Sequence, residues 1–462
     1  MRARWFLFFP AWCFTFLVGL ALWVTSDSRA RAEAAVRQVG AARVDITPDY
    51  PVRLSGYGNR RTYAEGVKQH LYAKALAIGN DEEGPAILLT VDNCGVPGAV
   101  REEVARRLAA HTKVTPDHVA LSFSHTHCAP MLSGVLPNLF SMDLPAEQWA
   151  SVERYTRELT DKLEQVALAA LQARTPCRLA FQQGSVGFAA NRRIKLPFRP
   201  VDHDLPVLRV TGIDGRVRAL FASYACHCTT IGINFLHGDW EGCAQADLEK
   251  GFPGAVALTA LGCGADQNPS PRGTIELTEQ HGAELAAEVK RVAGETMKPL
   301  NGPLHCYLKR IELPYMPLPT REEWERRAQD THPAISYHAK KNLARLDQGE
   351  ALPTALPYVV QVWAWGDDLA MVFLAGEVTV DYGLRLKKEC DASRIWINGY
   401  SNDAPCYIPS ERVLAEGGYE GAGAMVYYDR PAPFAPGIEN RIISAVHELL
   451  PKSFAAPASA QH

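Results

Sequence analysis

Short apolar segments alternate with amphipathic segments along the chain, and this alternation predicts an α/β fold. The runs AILLTVDN (86–93), VALSFSHTH (119–127) and LAMVFLAGE (369–377) have the length and composition of buried strands. The longest helical pattern between such runs covers about 144–173. The sequence has no repeat and no low-complexity linker. We therefore expect mixed β-sheets packed with helices in one large catalytic domain at 35–455, followed by a flexible tail at 456–462.

Charge and cysteine usage narrow the class of protein. The formal net charge of the 462 residues is -3, and the basic residues are scattered along the chain. A nucleic-acid partner is not expected, because such proteins carry clustered basic residues. The eleven cysteines form no CxxC pair. We expect most of them to be buried as small hydrophobic side chains rather than to form a disulfide scaffold.

The N-terminal segment 1–34 has the pattern of a leader. Arg2 and Arg4 precede an apolar run from Trp5 to Val24, and small residues follow near Ala30. This order predicts a secretory signal peptide. The apolar run is also long enough for an uncleaved N-terminal membrane anchor. Both interpretations place the remainder of the chain outside the cytoplasm. There it could associate with the membrane peripherally or through the N-terminal segment.

Polar and metal-binding residue types follow several of the predicted strands directly. Ligands of open α/β sheets bind at the carboxyl ends of strands, so we expect these side chains to converge on one site. The strand ends carry Asp92 and Asn93, His125 and His127, His227, Asp266 in GCGADQN, Glu377, and Tyr400 in NGYSND.

The motif SFSHTHCAP (122–130) places two histidines at the end of such a strand. His125 and His127 share their parity with the apolar residues of the strand, so both imidazoles should project from one face. A pair of this kind suits zinc, either with both histidines as ligands or with one supporting the other. Taken alone, it is equally compatible with a polar strand end that binds nothing.

Six motifs occur in the order and spacing of the neutral/alkaline, non-lysosomal ceramidases, and the chain resembles the N-terminal catalytic domain of that family. They are GAARVDITP, SGYGN with HLYAKALAI, SHTHCAP, NRR with DHDLPVLRV, AGEVTVDYGLRL, and the pair Tyr407 and Tyr419. The resemblance implies that His125, His227, Glu377 and Tyr407 bind Zn²⁺. It further implies that His127 acts beside the metal as a supporting or acid/base residue, and that Arg192 and Tyr419 stabilise an oxyanion.

The chain departs from the family pattern at two places. Where the family has a serine regarded as catalytic, this sequence reads His237-Gly238-Asp239. A serine nucleophile is therefore missing, and His237 and Asp239 become candidate proton carriers. The chain also stops near the end of the catalytic domain, so the family's C-terminal β-sandwich domain is expected to be missing.

The leading functional hypothesis is an exported, zinc-dependent amidohydrolase of sphingolipid or related lipid metabolism. Metal-activated water would cleave the N-acyl amide bond of ceramide or a related lipid amide. Two alternatives stay open: an exported protein that binds a lipid or glycan without catalysis, and a zinc hydrolase that acts on another amide or an ester. The sequence does not predict the oligomeric state.

Overall fold

A computed structural model describes residues 35–193 and 199–455. The predicted leader at 1–34 and the predicted tail at 456–462 lie outside these residues. Within the described ranges, no helix combines the length and the apolar character that a membrane span requires.

The helices and strands follow the alternation predicted from the sequence. The strands are β1 (Val36–Asp45), β2 (Tyr72–Ile78), β3 (Ala86–Val91), β4 (Val119–Phe123), β5 (Thr175–Ser185), β6 (Ala189–Asn191), β7 (Asp204–Gly212), β8 (Val217–Tyr224), β9 (Val256–Leu261), β10 (Gln267–Pro269), β11 (Lys298–Pro299), β12 (Leu304–Pro314), β13 (Ala355–Trp365), β14 (Leu369–Leu374), β15 (Glu377–Val378), β16 (Ile395–Asn398) and β17 (Tyr407–Ile408). The α-helices are α1 (Gly98–His111), α2 (Ala146–Gln172), α3 (Asp239–Gly251), α4 (Ile275–Gly294), α5 (Arg321–Arg327), α6 (Pro333–Asp347), α7 (Val380–Glu389), α8 (Glu411–Glu416), α9 (Gly418–Gly421) and α10 (Ile438–Leu449).

Two mixed sheets form the centre of the fold. The larger has the strand order β4-β3-β2-β1-β5-β7-β8-β9, with β11 paired to β5. The smaller has the order β12-β13-β14-β16. Two short ladders, β10 with β6 and β15 with β17, complete the pairing of the described strands. The predicted class, mixed sheets packed with helices, is confirmed.

Alternating side chains of each sheet point to its two opposite faces, as period-2 strands require, and both faces are covered by apolar contacts. One set fills the space between the sheets, where Trp396 of β16 stacks on Phe221 of β8 with ring centroids 4.7 Å apart. The opposite face of the large sheet packs against the layer of α1–α4, and that of the small sheet packs against α10. The order of layers is therefore helices, sheet, sheet, helices.

The cysteines contribute to these layers as expected. The ten cysteines of the described residues are free of disulfides, and nine of them are buried.

The curl of the large sheet determines where strand ends meet. Five antiparallel pairings separate β3 from β8, and β4 pairs parallel to β3, so β4 and β8 run in opposite directions. In a flat sheet their carboxyl ends would lie at opposite edges. Here β9, the last strand in the order, also contacts β1, β2, β3 and β4. Twist accumulated over successive strands allows this approach.

Two predicted strands end earlier than expected. The strand predicted over 119–127 ends at Phe123, and the backbone of His125 is left-handed, with φ of 57°. The prediction that strand parity orients both imidazoles is therefore wrong, because neither histidine belongs to the strand. The strand predicted over 369–377 likewise ends at Leu374, and Glu377 begins the separate strand β15.

Candidate metal centre

Three side chains from distant parts of the sequence meet at the carboxyl ends of strands. His125 follows β4, His227 follows β8, and Glu377 begins β15. The Nε2 atom of His125 lies 3.2 Å from Oε2 of Glu377, and the Nε2 atom of His227 lies 3.1 Å from the same oxygen. One possible ligand atom from each residue falls within 4.8 Å of the others. We call these three residues the central cluster.

Backbone hydrogen bonds from neighbouring strand ends fix the three residues. The N–H of His125 donates to the carbonyl of Asn93, at the end of β3, over 2.8 Å. The N–H of His227 donates to Gln267 of β10 over 2.9 Å, and that of Glu377 donates to Cys406 over 3.0 Å. Backbone carbonyl groups near the strand ends thus fix the positions of the three residues of the central cluster.

Each of the two imidazoles uses its Nδ1 atom for a hydrogen bond to a backbone carbonyl, which leaves Nε2 of both rings available as a ligand atom. Nδ1 of His125 lies 2.5 Å from the carbonyl of Cys94, and Nδ1 of His227 lies 2.8 Å from the carbonyl of Gly264. Since a carbonyl only accepts, both Nδ1 atoms carry a proton and donate it. The electron pairs of both Nε2 atoms then face a carboxylate oxygen, which is favourable only with a proton or a metal cation between them. The donor set therefore fits a metal ion.

The electrostatics of the cluster agree with the need for a cation. Burial alone would lower the pKa of His125, but the Glu377 carboxylate raises that pKa well above its usual range. Burial would likewise raise the pKa of Glu377, and the adjacent His125 and His227 instead hold it well below its usual range. Burial, together with the positive charge of Arg192, lowers the pKa of His227 to about 4. The site thus stabilises one positive charge at the nitrogens facing Glu377.

Two tyrosine hydroxyls, those of Tyr400 and Tyr407, lie near the His227 ring, and the structure distinguishes them as candidates for a fourth ligand. The hydroxyl of Tyr407 lies 3.3 Å from Nε2 of His227, the nitrogen that faces the carboxylate. The hydroxyl of Tyr400 lies 3.3 Å from Nδ1 of the same ring, on the side away from the carboxylate. Tyr407 is therefore the phenol placed with the cluster.

A third tyrosine, Tyr428, supports the cluster and was not predicted from the sequence. Its buried hydroxyl donates a short hydrogen bond to Oε1 of Glu377, the carboxylate oxygen opposite the histidines. The two residues lie 51 positions apart, and no local pattern links them. Only the fold reveals this contact.

Arg192 contacts the Tyr407 hydroxyl. Its Nη2 donates to the Tyr407 hydroxyl over 3.0 Å, and its Nη1 donates to Oδ1 of Asn268 over 3.3 Å. Its Cζ lies 5.7 Å from the ring centroid of Tyr407 and 5.9 Å from that of Tyr419. The structure thus brings the two predicted oxyanion residues, Arg192 and Tyr419, together beside the phenol.

His127 lies between the central cluster and the loop at 55–60. Its Nε2 lies 3.1 Å from Nε2 of His125, and its ring makes an edge contact with Tyr57 at a centroid distance of 4.7 Å. A Cβ at Gly56, whose φ is +87°, would lie 2.3 Å from the His127 ring. Only glycine therefore permits this packing.

Residues 237–239 form a turn that is hydrogen-bonded to the neighbours of His127 in sequence. The Thr126 hydroxyl donates to the carbonyl of His237 over 2.8 Å, and the N–H of His237 donates to the carbonyl of Cys128 over 3.0 Å. The Asp239 carboxylate accepts three backbone N–H groups, from Thr230, Ile231 and Trp240.

These contacts limit what the two residues can do chemically. The N–H of Asp239 donates to Nδ1 of His237 over 2.9 Å, so the proton of a neutral His237 resides on Nε2. Burial lowers the pKa of His237 to about 4, which keeps the ring neutral at pH 7. His237 thus presents a donor, and Asp239 organises the turn. Their roles as proton carriers stay predictions.

The fold and the central cluster together define an α/β protein with a candidate metal centre at its strand ends. Residues 38–260 match the sequence model of the family described as "Neutral/alkaline non-lysosomal ceramidase, N-terminal". The resemblance predicted from the motifs is confirmed in sequence over this range. Comparison with solved structures shows a similar fold over 92% of the chain.

Curated relatives resemble the chain in sequence, and solved structures resemble it in fold. Neutral ceramidases of Drosophila pseudoobscura pseudoobscura and Drosophila melanogaster are each 25% identical, over 242 and 238 residues, covering 47% of this chain. The match spans about a third of the length of these relatives, 33% in each case. The crystal structure of neutral ceramidase from Pseudomonas aeruginosa has a TM-score of 0.68 at 20% identity, covering 92% of this chain and 76% of that chain. A ceramidase complexed with C2 has a TM-score of 0.70 at 18% identity, covering 92% of this chain and 77% of that chain.

Proposed function

We propose that this protein is a zinc-dependent hydrolase that cleaves an N-acyl amide bond, in ceramide or a related lipid amide. The observation that carries the proposal is the central cluster, in which Oε2 of Glu377 lies 3.2 Å from Nε2 of His125 and 3.1 Å from Nε2 of His227. Histidine and carboxylate donors of this kind suit zinc, and three strong ligands leave a position open for a reactant. The family match over 38–260 supports an acyl amide as the substrate class.

His125, His227 and Glu377 would hold the zinc ion, with Tyr407 as a weaker fourth ligand. Zinc bound there would polarise the acyl carbonyl and increase the acidity of a water molecule. The chain itself would stabilise the oxyanion formed at the carbonyl. Arg192, whose Nη2 donates to the Tyr407 hydroxyl, would donate a hydrogen bond to that oxygen, and Tyr419, whose ring centroid lies 5.9 Å from Cζ of Arg192, would assist it.

Hydrolysis of an amide also requires one proton to move from the attacking water to the leaving nitrogen. His127 is the candidate carrier, because its Nε2 lies 3.1 Å from a cluster nitrogen and the residue is partly exposed. His237 takes the position of the family serine. Because its Nδ1 accepts the N–H of Asp239, we propose that His237 donates a hydrogen bond from Nε2 instead of acting as a nucleophile or base.

The test is hydrolysis of ceramide carrying a fluorescent acyl chain, measured with released fatty acid as product. We expect turnover by the wild type and losses of at least about 100-fold in His125→Ala and Glu377→Ala, the scale on which removal of a metal ligand or its support acts. Glu153→Ala, at an exposed position of α2, is the matched control and should retain full activity. Full activity in both cluster variants would refute the proposal.

A second candidate keeps the zinc centre and changes the substrate to another amide or to an ester. His237 at the serine position favours it, since the chemistry of that position differs from the family pattern. A panel of N-acyl and O-acyl fluorogenic compounds distinguishes the two candidates. Faster turnover of a compound other than ceramide would favour the second.

Export from the cytoplasm stays a prediction of the leader at 1–34. N-terminal sequencing of the protein recovered from the cell envelope and the medium would show whether the leader is removed.

A further inference from the structure

Glu420 joins two arginines at the edge of the candidate site. Its Oε1 accepts a hydrogen bond from Nε of Arg192 over 2.8 Å, and its Oε2 accepts one from Nη1 of Arg193 over 2.6 Å. The Glu420 side chain is 6% exposed, and that of Arg193 is 8% exposed. A carboxylate this deeply buried keeps its charge only because both guanidinium groups pair with it.

The contact with Arg192 determines the direction of that side chain. A guanidinium is planar, so fixing Nε fixes the plane and the directions of Nη1 and Nη2. In this structure those two nitrogens reach Asn268 and the Tyr407 hydroxyl. Glu420 is the only charged partner of Arg192 among the described residues.

Chain connectivity adds a second constraint. Glu420 directly follows Tyr419, whose ring packs edge-on against Tyr407 at a centroid distance of 5.4 Å. The ion pair between Glu420 and Arg192 therefore also restrains the backbone of Tyr419 relative to Arg192. One carboxylate thus orients both residues that are predicted to face the oxyanion.

We propose that Glu420 is a positioning residue that holds Arg192 and Tyr419 in the arrangement needed for oxyanion stabilisation, an inference that rests on the proposed hydrolase function. The effect should appear in kcat and leave KM nearly unchanged, because the oxyanion forms only in the transition state. A displacement of about 1 Å in such a group costs on the order of 100-fold in rate.

Glu416 offers a matched control. Its carboxylate accepts hydrogen bonds from Arg193 over 3.0 Å and from Arg412 over 3.0 Å, in the same network but without contact to Arg192. If Glu420 served only to stabilise this ion-pair network, Glu416→Gln and Glu420→Gln would have similar effects. Positioning of Arg192 predicts that they differ.

The experiment compares Arg192→Ala, Glu420→Gln, Glu416→Gln and the double variant Arg192→Ala/Glu420→Gln on ceramide with a fluorescent acyl chain. We expect kcat of Glu420→Gln to fall at least about tenfold with KM within about twofold, and Glu416→Gln to stay within about twofold of the wild type. Added guanidinium chloride should restore part of the activity of Arg192→Ala and none of the activity of the double variant, which lacks the carboxylate that would seat the free cation. Thermal unfolding and zinc content check that all variants are folded and loaded.

The outcomes separate two failures. If Arg192→Ala is inactive while Glu420→Gln matches Glu416→Gln, the positioning role is wrong and the proposed function stands. If the wild type does not hydrolyse the ceramide, or Arg192→Ala is fully active, the proposed function or its oxyanion arrangement is wrong, and this inference is wrong with it.

Discussion

The hydroxyl of Tyr428 should contribute to metal affinity through Glu377. Tyr428 is buried, and its hydroxyl donates to Oε1 of Glu377, the oxygen that does not face the histidines. Tyr428→Phe removes the donor and preserves the ring. A hydrogen bond to a charged group contributes about 1.5–3 kcal/mol, and each 1.4 kcal/mol corresponds to a factor of about ten in binding. We therefore expect zinc to bind about 10–100-fold more weakly, the range found when support of a metal ligand is removed.

Competition with a chromogenic chelator measures this zinc affinity directly. Tyr155→Phe is the matched control, because Tyr155 is equally buried and its hydroxyl donates to the carbonyl of Ile46, beside α2 and away from the cluster. Both variants lose one buried hydrogen bond, so both should lose stability. Only Tyr428→Phe should lose zinc affinity. Equal zinc affinity in the two variants would show that the Tyr428 hydroxyl does not support zinc binding.

Three further predictions test the surroundings of the site and the fold. Gly56→Ala should displace the His127 ring, which a Cβ would approach to 2.3 Å, and reduce kcat while zinc content is unchanged. Burial raises the pKa of Glu241 to about 8 from an ordinary value of 4.5, so wild-type stability should fall by up to about 5 kcal/mol as pH rises through this window. Glu241→Gln should remove that slope in urea unfolding curves, and an unchanged slope would contradict the assignment. Trp396→Ala, between the two sheets against Phe221, should cost about 3–5 kcal/mol in free energy of unfolding, and a loss below 1 kcal/mol would contradict the two-sheet packing.

Apolar periodicity predicted the elements well because each strand buries both faces or one face regularly. The helix expected at about 144–173 is α2 at Ala146–Gln172, and the run at 86–93 contains β3 at Ala86–Val91. Strand ends were less predictable. The strand preceding His125 stops at Phe123, two residues before the left-handed backbone of His125, whose φ of 57° is incompatible with an extended strand.

The central cluster was predicted for a partly wrong reason. The polar residues after the strands indicated the correct set, and His125, His227 and Glu377 do meet. Convergence was expected because ligands of open α/β sheets bind at the carboxyl ends of strands. However, β4 and β8 run in opposite directions, and the curl of the sheet brings their ends together. Sheet curvature depends on the packing of all strands at once, so no local pattern reports it.

The contacts of Tyr428 with Glu377 and of Glu420 with Arg192 could not be predicted from the sequence, because they too depend on the complete fold. Tyr428 and Glu420 reach their partners across 51 and 228 positions of sequence. Each residue taken alone is an ordinary tyrosine or glutamate. Their roles follow only from the neighbours that the fold provides.

The proposed function requires that His125, His227 and Glu377 bind one zinc ion. Metal analysis of the purified protein, by mass spectrometry of the native protein with elemental quantification, tests it without reference to any substrate. We expect one zinc per chain in the wild type and in Glu153→Ala, and a loss of that zinc in His125→Ala and Glu377→Ala. A wild-type protein that is folded and takes up no zinc, or cluster variants that retain it, would contradict the claim.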